Sequence, residues 1–275
     1  MNAEKLKTQM EKLPEPVSVL KAPFWEYWRY ELWRHVMQGD DPARFFSWPC
    51  IYHTMLVNHW KEAVWYEYMS LLTDAAPSFE AVWEKAILMP PIGNDYQAET
   101  EYSRNLIHQA YHIQQFLQTT GITLTELCQF GSIIEIGGGY GAMALVLQRL
   151  GYQGKVILYD WPEFLLLQRY FLSACNADME RLSFISSLST LRIHVKHADM
   201  MIGCYSLSEM PYEQREQLLK AVGSQRYLFL YSDKFEQYDN RAFFTDYAHE
   251  RNDLEWQHTE IGHLPDSNWY SFGAQ

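Results

Sequence analysis

The sequence predicts an α/β fold: a Rossmann-like sheet with helices on both faces over residues 121–275, behind an N-terminal helical extension over residues 1–120. Three observations lead there. A glycine-rich turn, Gly137 to Gly141, follows a short apolar run and opens a helix-patterned segment. Apolar runs of strand length then alternate with helical ones toward the C-terminus, which is the signature of parallel α/β architecture. Seven Trp residues (Trp25, Trp28, Trp33, Trp48, Trp60, Trp65, Trp83) out of ten precede residue 90, so the first part of the chain has a different character.

Residues 1 to about 20 are polar and carry Pro14 and Pro16, and are expected to form a loose lead-in. From Pro23 to about Ile87, the sets Trp25, Trp28, Leu32 and Trp60, Val64, Tyr68 repeat at three and four residues, the spacing of one helix face. Breaks are expected at Gly39 to Pro42, at Pro49 and at Ala76-Pro77. Pro90 to Asn94 reads as a loop. A helix over 98–119 follows, with Leu106, Ala110, Ile113 and Leu117 on its apolar face and Gly121 placed to stop it. The pattern then predicts strands at 132–136, 155–160, 182–186, 199–205 and 226–232. Helices are expected at 140–150, 162–175, 188–196, 211–222 and 239–250. A last pair of strands falls near 254–258 and 268–272.

A formal net charge of -12 repels phosphate backbones, which argues against a nucleic-acid partner. The cysteines (Cys50, Cys128, Cys175, Cys204) form no CxxC pair, so neither a zinc site nor a disulfide framework is expected. The charged N-terminus and the lack of any run of about 18 apolar residues predict a soluble, cytoplasmic protein.

In SIIEIGGGYGA (132–142), the glycines let the backbone turn sharply and let a ligand approach where a Cβ would collide. Gly137, Gly139 and Ala142 also satisfy the dinucleotide pattern, so the turn alone leaves the nucleotide open. Glu135 bears on that choice. A carboxylate two residues before the first glycine repels a pyrophosphate and attracts the ammonium and sulfonium charges of S-adenosylmethionine. Asp160 ends the next apolar run at the spacing of a ribose-binding acid. A helix N-cap is its structural alternative. Trp161 beside it could cover the adenine.

EIGGGYGAMA (135–144), ILYDWPEFLLLQRYFL (157–172) and CYSLSEMP (204–211) resemble a sugar O-methyltransferase family of bacterial surface-polysaccharide and glycan gene clusters, within the class I S-adenosylmethionine-dependent methyltransferases. The resemblance implies a cofactor site at Glu135, Gly137, Gly139 and Asp160, and a functional segment at Tyr205 to Met210. Tyr140, Trp161, Tyr205 and Ser206 complete the expected cofactor-binding set. A sugar or glycan-precursor acceptor is implied by the family alone.

A hydroxyl acceptor must lose a proton, so a base is expected beyond the C-terminal strand ends. Glu209 meets that condition, as base or acceptor ligand; its alternative is a charge at a helix start. His258 and His263 in the polar, aromatic tail are further candidate bases, and Asp233 is another. His194 and His197 stand three apart near Asp199, but no third ligand is identifiable and no metal is expected. The N-terminal aromatics could fill a helical core, line an acceptor cleft or form a dimer contact. Three other functions stay open at this level: a natural-product O- or N-methyltransferase, an NAD(P)-dependent oxidoreductase, and a non-catalytic protein on the same fold.

Overall fold

A computed structural model describes residues 1–16, 24–57, 60–74, 77–93 and 101–275. Pro23, Ala76, Asn94 and the expected helix start at 98 lie outside the described residues.

The sheet has seven strands: β1 (Ser132–Ile136), β2 (Lys155–Tyr159), β3 (Leu182–Ile185), β4 (Met200–Cys204), β5 (Tyr227–Ser232), β6 (Glu255–Glu260) and β7 (Asn268–Ala274). Their spatial order is β3-β2-β1-β4-β5-β7-β6. The first five run parallel, β7 returns antiparallel to β5, and β6 pairs antiparallel with β7. This is a Rossmann-like α/β sheet with helices on both faces, as expected. Strand order reverses between β1 and β4, and ligands of such sheets bind beyond the strand ends at that switch point.

Helices in chain order are α1 (Ala3–Met10), α2 (Phe24–Gln38), α3 (Pro49–Tyr52), α4 (Lys61–Asp74), α5 (Pro77–Ile87), α6 (Arg104–Thr120), α7 (Leu124–Gln129), α8 (Ala142–Arg149), α9 (Pro162–Ala174), α10 (Leu188–His194), α11 (Tyr212–Ala221) and α12 (Asn240–Glu250). Two of them correct the sequence reading. The lead-in holds α1, capped by the Asn2 side chain, with Leu6 and Met10 buried against the core. The α7 helix went unforeseen; it starts with a capping box between Thr123 and Glu126. Pro49 opens α3 instead of breaking the chain, because proline suits the first helical turn. Gly121 stops α6 in the left-handed conformation, φ 74°.

Side chains alternate across each strand and feed two cores. Ile133, Val156, Leu158, Ile202, Leu230 and Tyr270 face one side, where α8 and α9 pack and where the N-terminal helices lie over them. Ile134, Ile136, Met201, Phe229 and Tyr231 face the other, with α10, α11 and α12. Glu135 shares the parity of Ile133, so its carboxylate points toward the N-terminal helices. α6 touches both α8 and β7, which brings it over the sheet beside the switch point. Among the described residues, no helix is long and apolar enough to cross a membrane.

Candidate functional site

The chain turns at the end of β1 through three left-handed glycines, Gly137 (φ 67°), Gly139 (φ 59°) and Gly141 (φ 102°). Space as well as dihedral angle demands glycine at the first. A Cβ on Gly137 would stand 2.3 Å from the Ser206 Cβ. Ser206 donates its hydroxyl to the Ile136 carbonyl, tying the segment after β4 to the end of β1. Tyr205 reaches that place in a left-handed conformation, φ 64°, with its N–H on Leu230 O at 2.7 Å.

A cavity of about 710 Å³ opens at the switch point, between the glycine turn, α6 and the segments that follow β4, β5 and β6. That size suits a small-molecule ligand site. Its wall includes Glu135, Glu209, Asp233 and Asp266; Lys234 is the only lysine or arginine on it among the described residues. Glu135 is buried, and its Oε2 has no hydrogen-bond partner. Burial, with Asp160 nearby, pushes its carboxyl up to about 8. Glu209 accepts from Trp25 Nε1 at 3.0 Å. Burial lifts Glu209 to about 7, against the pull of Trp25 and Arg215. It stands on the wall and outside α11, whose N-cap is Pro211.

Of the expected cofactor set, Glu135, Gly137, Gly139, Tyr140, Tyr205 and Ser206 line this cavity. Asp160 and Trp161 are not on its wall. Asp160 is connected to the turn by Gln168, whose Nε2 donates to Asp160 Oδ2 at 2.8 Å and to Gly139 O at 3.0 Å. Its other oxygen accepts from Trp161 N–H at 2.7 Å. The N-cap of α9 is Trp161, so Asp160 does not fill that alternative role. Burial raises Asp160 to about 7. The Trp161 ring carries the Arg29 guanidinium over one face at 3.9 Å, and Arg29 pairs in bidentate fashion with Glu163.

The candidate bases separate. Glu209 and Asp233 are on the wall; His258 and His263 are not. His258 lies on β6, an edge strand, at the same parity as Trp256, which packs toward α12 on the opposite sheet face. Its Nδ1 meets Ser271 Oγ at 2.6 Å. His263 is turned inward, with Nε2 3.0 Å from Glu67 Oε1. His194 ends α10 and His197 sits in a two-residue strand pair, both exposed. Asp199 accepts from the N–H groups of Gly131 and Ser132.

The sequence reading missed the groups beneath the cavity. His108 and His112, one turn apart on α6, are both buried and both on the wall. Their four-residue spacing inside an expected helix was the available signal. Glu67 on α4 is fully buried and meets His108 Nδ1 with both oxygens, at 2.8 and 3.0 Å. Burial would raise the Glu67 carboxyl, but His108, His263 and His112 together hold it down to about 2. His112 Nδ1 lies 2.6 Å from the Tyr270 hydroxyl, and its Nε2 has no partner. Burial, then His108, lowers His112 well below the usual histidine range.

No family model matches the chain, and no curated protein does. Similar solved structures exist. A Klebsiella pneumoniae protein described provisionally as an O-methyltransferase is 13% identical, with 79% of this chain and 98% of that one covered and a TM-score of 0.47. Magnesium protoporphyrin IX methyltransferase from Synechocystis, solved with bound S-adenosylmethionine, is 12% identical over 76% of this chain and 97% of its own, at 0.45. An O-methyltransferase family protein from Burkholderia thailandensis is 14% identical over 79% and 70%, at 0.40.

Proposed function

We propose that the chain is an S-adenosylmethionine-dependent O-methyltransferase acting on a hydroxyl of a small polar acceptor, a sugar or glycan precursor. The carrying observation is Glu135: a buried carboxylate with an unpartnered oxygen, beside a glycine turn, on a cavity wall that holds, among the described residues, four carboxylates and one lysine. Such a site favours a cation and opposes a diphosphate, which argues for S-adenosylmethionine over NAD(P).

Glu135 balances the cofactor's positive charge, Gly137 and Gly139 allow its close approach, and Tyr140, Tyr205 and Ser206 frame the turn. Asp160 and Trp161 serve its nucleoside end. When bound, the cofactor supplies a methyl group already activated by its sulfonium charge. The protein's task is then alignment and proton removal. Glu209, held by Trp25, orients the acceptor by accepting a hydrogen bond from a hydroxyl next to the one that is methylated. The acidic wall suits an acceptor without phosphate, and the sugar assignment is supported by the three sequence segments that resemble the glycan-linked family. Residues 1–120 act as a cap that closes the acceptor end.

The test is calorimetric titration with S-adenosylhomocysteine, beside NADH, on wild type, Glu135→Gln and Asp160→Ala. Wild type is expected to bind S-adenosylhomocysteine and both variants to bind it more weakly. Failure to bind, or preference for NADH, overturns the proposal. Methyl transfer from labelled cofactor to a panel of methyl glycosides then defines the acceptor.

A further inference from the structure

Glu67 is a carboxylate at zero exposure with no lysine or arginine partner in the described structure; its bonds come from His108 on α4's neighbour α6 and from His263. Burying an uncompensated charge is costly. A proton arriving on either imidazole turns that unbalanced anion into an ion pair. His108 is the member of the pair that lines the cavity. Its Nδ1 is taken by Glu67, so any proton it exchanges with a bound ligand passes through Nε2. Next to it, at 4.1 Å between ring centroids, His112 presents a second ring to the same wall, with an unpartnered Nε2.

We propose that His108, oriented by Glu67, is the proton acceptor for the substrate hydroxyl, with His112 a hydrogen-bonding partner of the same substrate. This rests on the transferase reading and adds the proton's destination to it. The acceptor O–H bond breaks and its proton goes to Nε2 of His108. The oxygen's electron pair forms the O–CH₃ bond while the S–CH₃ bond breaks and its pair stays on sulfur. One positive charge leaves sulfur and one arises on the imidazole, where the Glu67 carboxylate stabilises it. A buried acid that fixes a histidine tautomer and stabilises the imidazolium is a known arrangement for base catalysis. Glu67 is a positioning residue here, since it reaches the substrate only through His108.

The test uses the full chain, ¹⁵N-labelled at histidine, with S-adenosylhomocysteine present and His108→Gln to assign the signal. Neutral His108 is expected to carry its proton on Nδ1 and none on Nε2. With labelled S-adenosylmethionine and the methyl glycoside panel, His108→Gln should lower kcat by about 10²–10⁴-fold while S-adenosylhomocysteine affinity is unchanged. Glu67→Gln, which keeps the shape and removes the charge, should keep the tautomer and lower kcat. A proton on Nε2 in wild type, or wild-type turnover in His108→Gln, overturns the proposal. Should no glycoside be methylated, the tautomer alone decides. Absence of S-adenosylhomocysteine binding to wild type is a different result and falls on the transferase reading.

Discussion

Trp25 and Glu209, 184 positions apart, meet through a 3.0 Å hydrogen bond from the indole N–H to a carboxylate oxygen on the cavity wall. The contact joins α2 to the segment between β4 and α11, and it favours the charged form of Glu209. Burial raises that carboxyl to about 7, and the Trp25 bond opposes the rise. Trp25→Phe removes the donor and keeps most of the ring. The Glu209 carboxyl should then titrate higher. Because the proposed role needs the anion, the acid limb of kcat/KM should move to higher pH. A pH–rate profile of methyl transfer checks this; an unmoved limb would show that Glu209 is not the ionising group.

Glu135 couples cofactor binding to protons. Its carboxyl is pushed up to about 8, so at pH 7 the free site holds it mainly in the protonated form. A cationic ligand favours the anion, so binding should release about one proton at pH 7 and strengthen as pH rises toward 8. Calorimetry in two buffers of different ionisation enthalpy counts that proton. In Glu135→Gln the release should vanish.

The same group makes a separate stability prediction. Its folded carboxyl is raised above the unfolded value of 4.5, so the folded state holds the proton longer. Its contribution to stability is therefore present at low pH and is lost as pH rises from 4.5 through about 8. Ligand-free Glu135→Gln should match wild type near pH 5 and exceed its Tm above pH 8. A thermal-melt series checks the divergence; a constant difference across pH would refute it.

Gly137 and Gly139 should respond unequally to alanine. Both have positive φ, but only at Gly137 does the new Cβ strike a neighbour, at 2.3 Å, against 3.4 Å to Met55 Sδ at Gly139. The left-handed conformation costs about 1–2 kcal/mol at either site, and overpacking adds about 1–3 kcal/mol at Gly137. Urea unfolding should rank Gly137→Ala well below Gly139→Ala. Measured in a Ser206→Gly background, where the Ser206 hydroxyl bond to Ile136 is lost from both members of the comparison, Gly137→Ala should cost only the conformational part.

Gln168 holds Asp160 and the turn together through one amide. Gln168→Leu removes both donors. Asp160, already raised to about 7 by burial, loses a bond that lowers it and should be more fully protonated at neutral pH. S-adenosylhomocysteine binding should weaken about tenfold or more, at about 1–3 kcal/mol for a charged group left without its partner. Titration calorimetry at pH 7 and pH 8.5 measures it, and the loss should be smaller at the higher pH.

Local pattern alone determined the sheet and its glycine turn. Strand and helix periods, capping chemistry and the positive-φ demand at Gly137 and Gly139 act over a few residues, so β1 to β7, the helices between them and the place of Glu135 beside the turn could be read directly. Tertiary structure decided the rest. The α1 helix is short and polar, and it is held by burying Leu6 and Met10 against distant residues, which no local propensity carries. His258 and His263 looked equivalent in the tail; strand parity sends one to the far sheet face, while the other meets Glu67 across 196 positions. Glu67 itself is an ordinary surface residue by sequence. It becomes an electrostatic centre only because α4 and α6 pack side by side and exclude water around it, and burial of that kind is a property of the packed molecule.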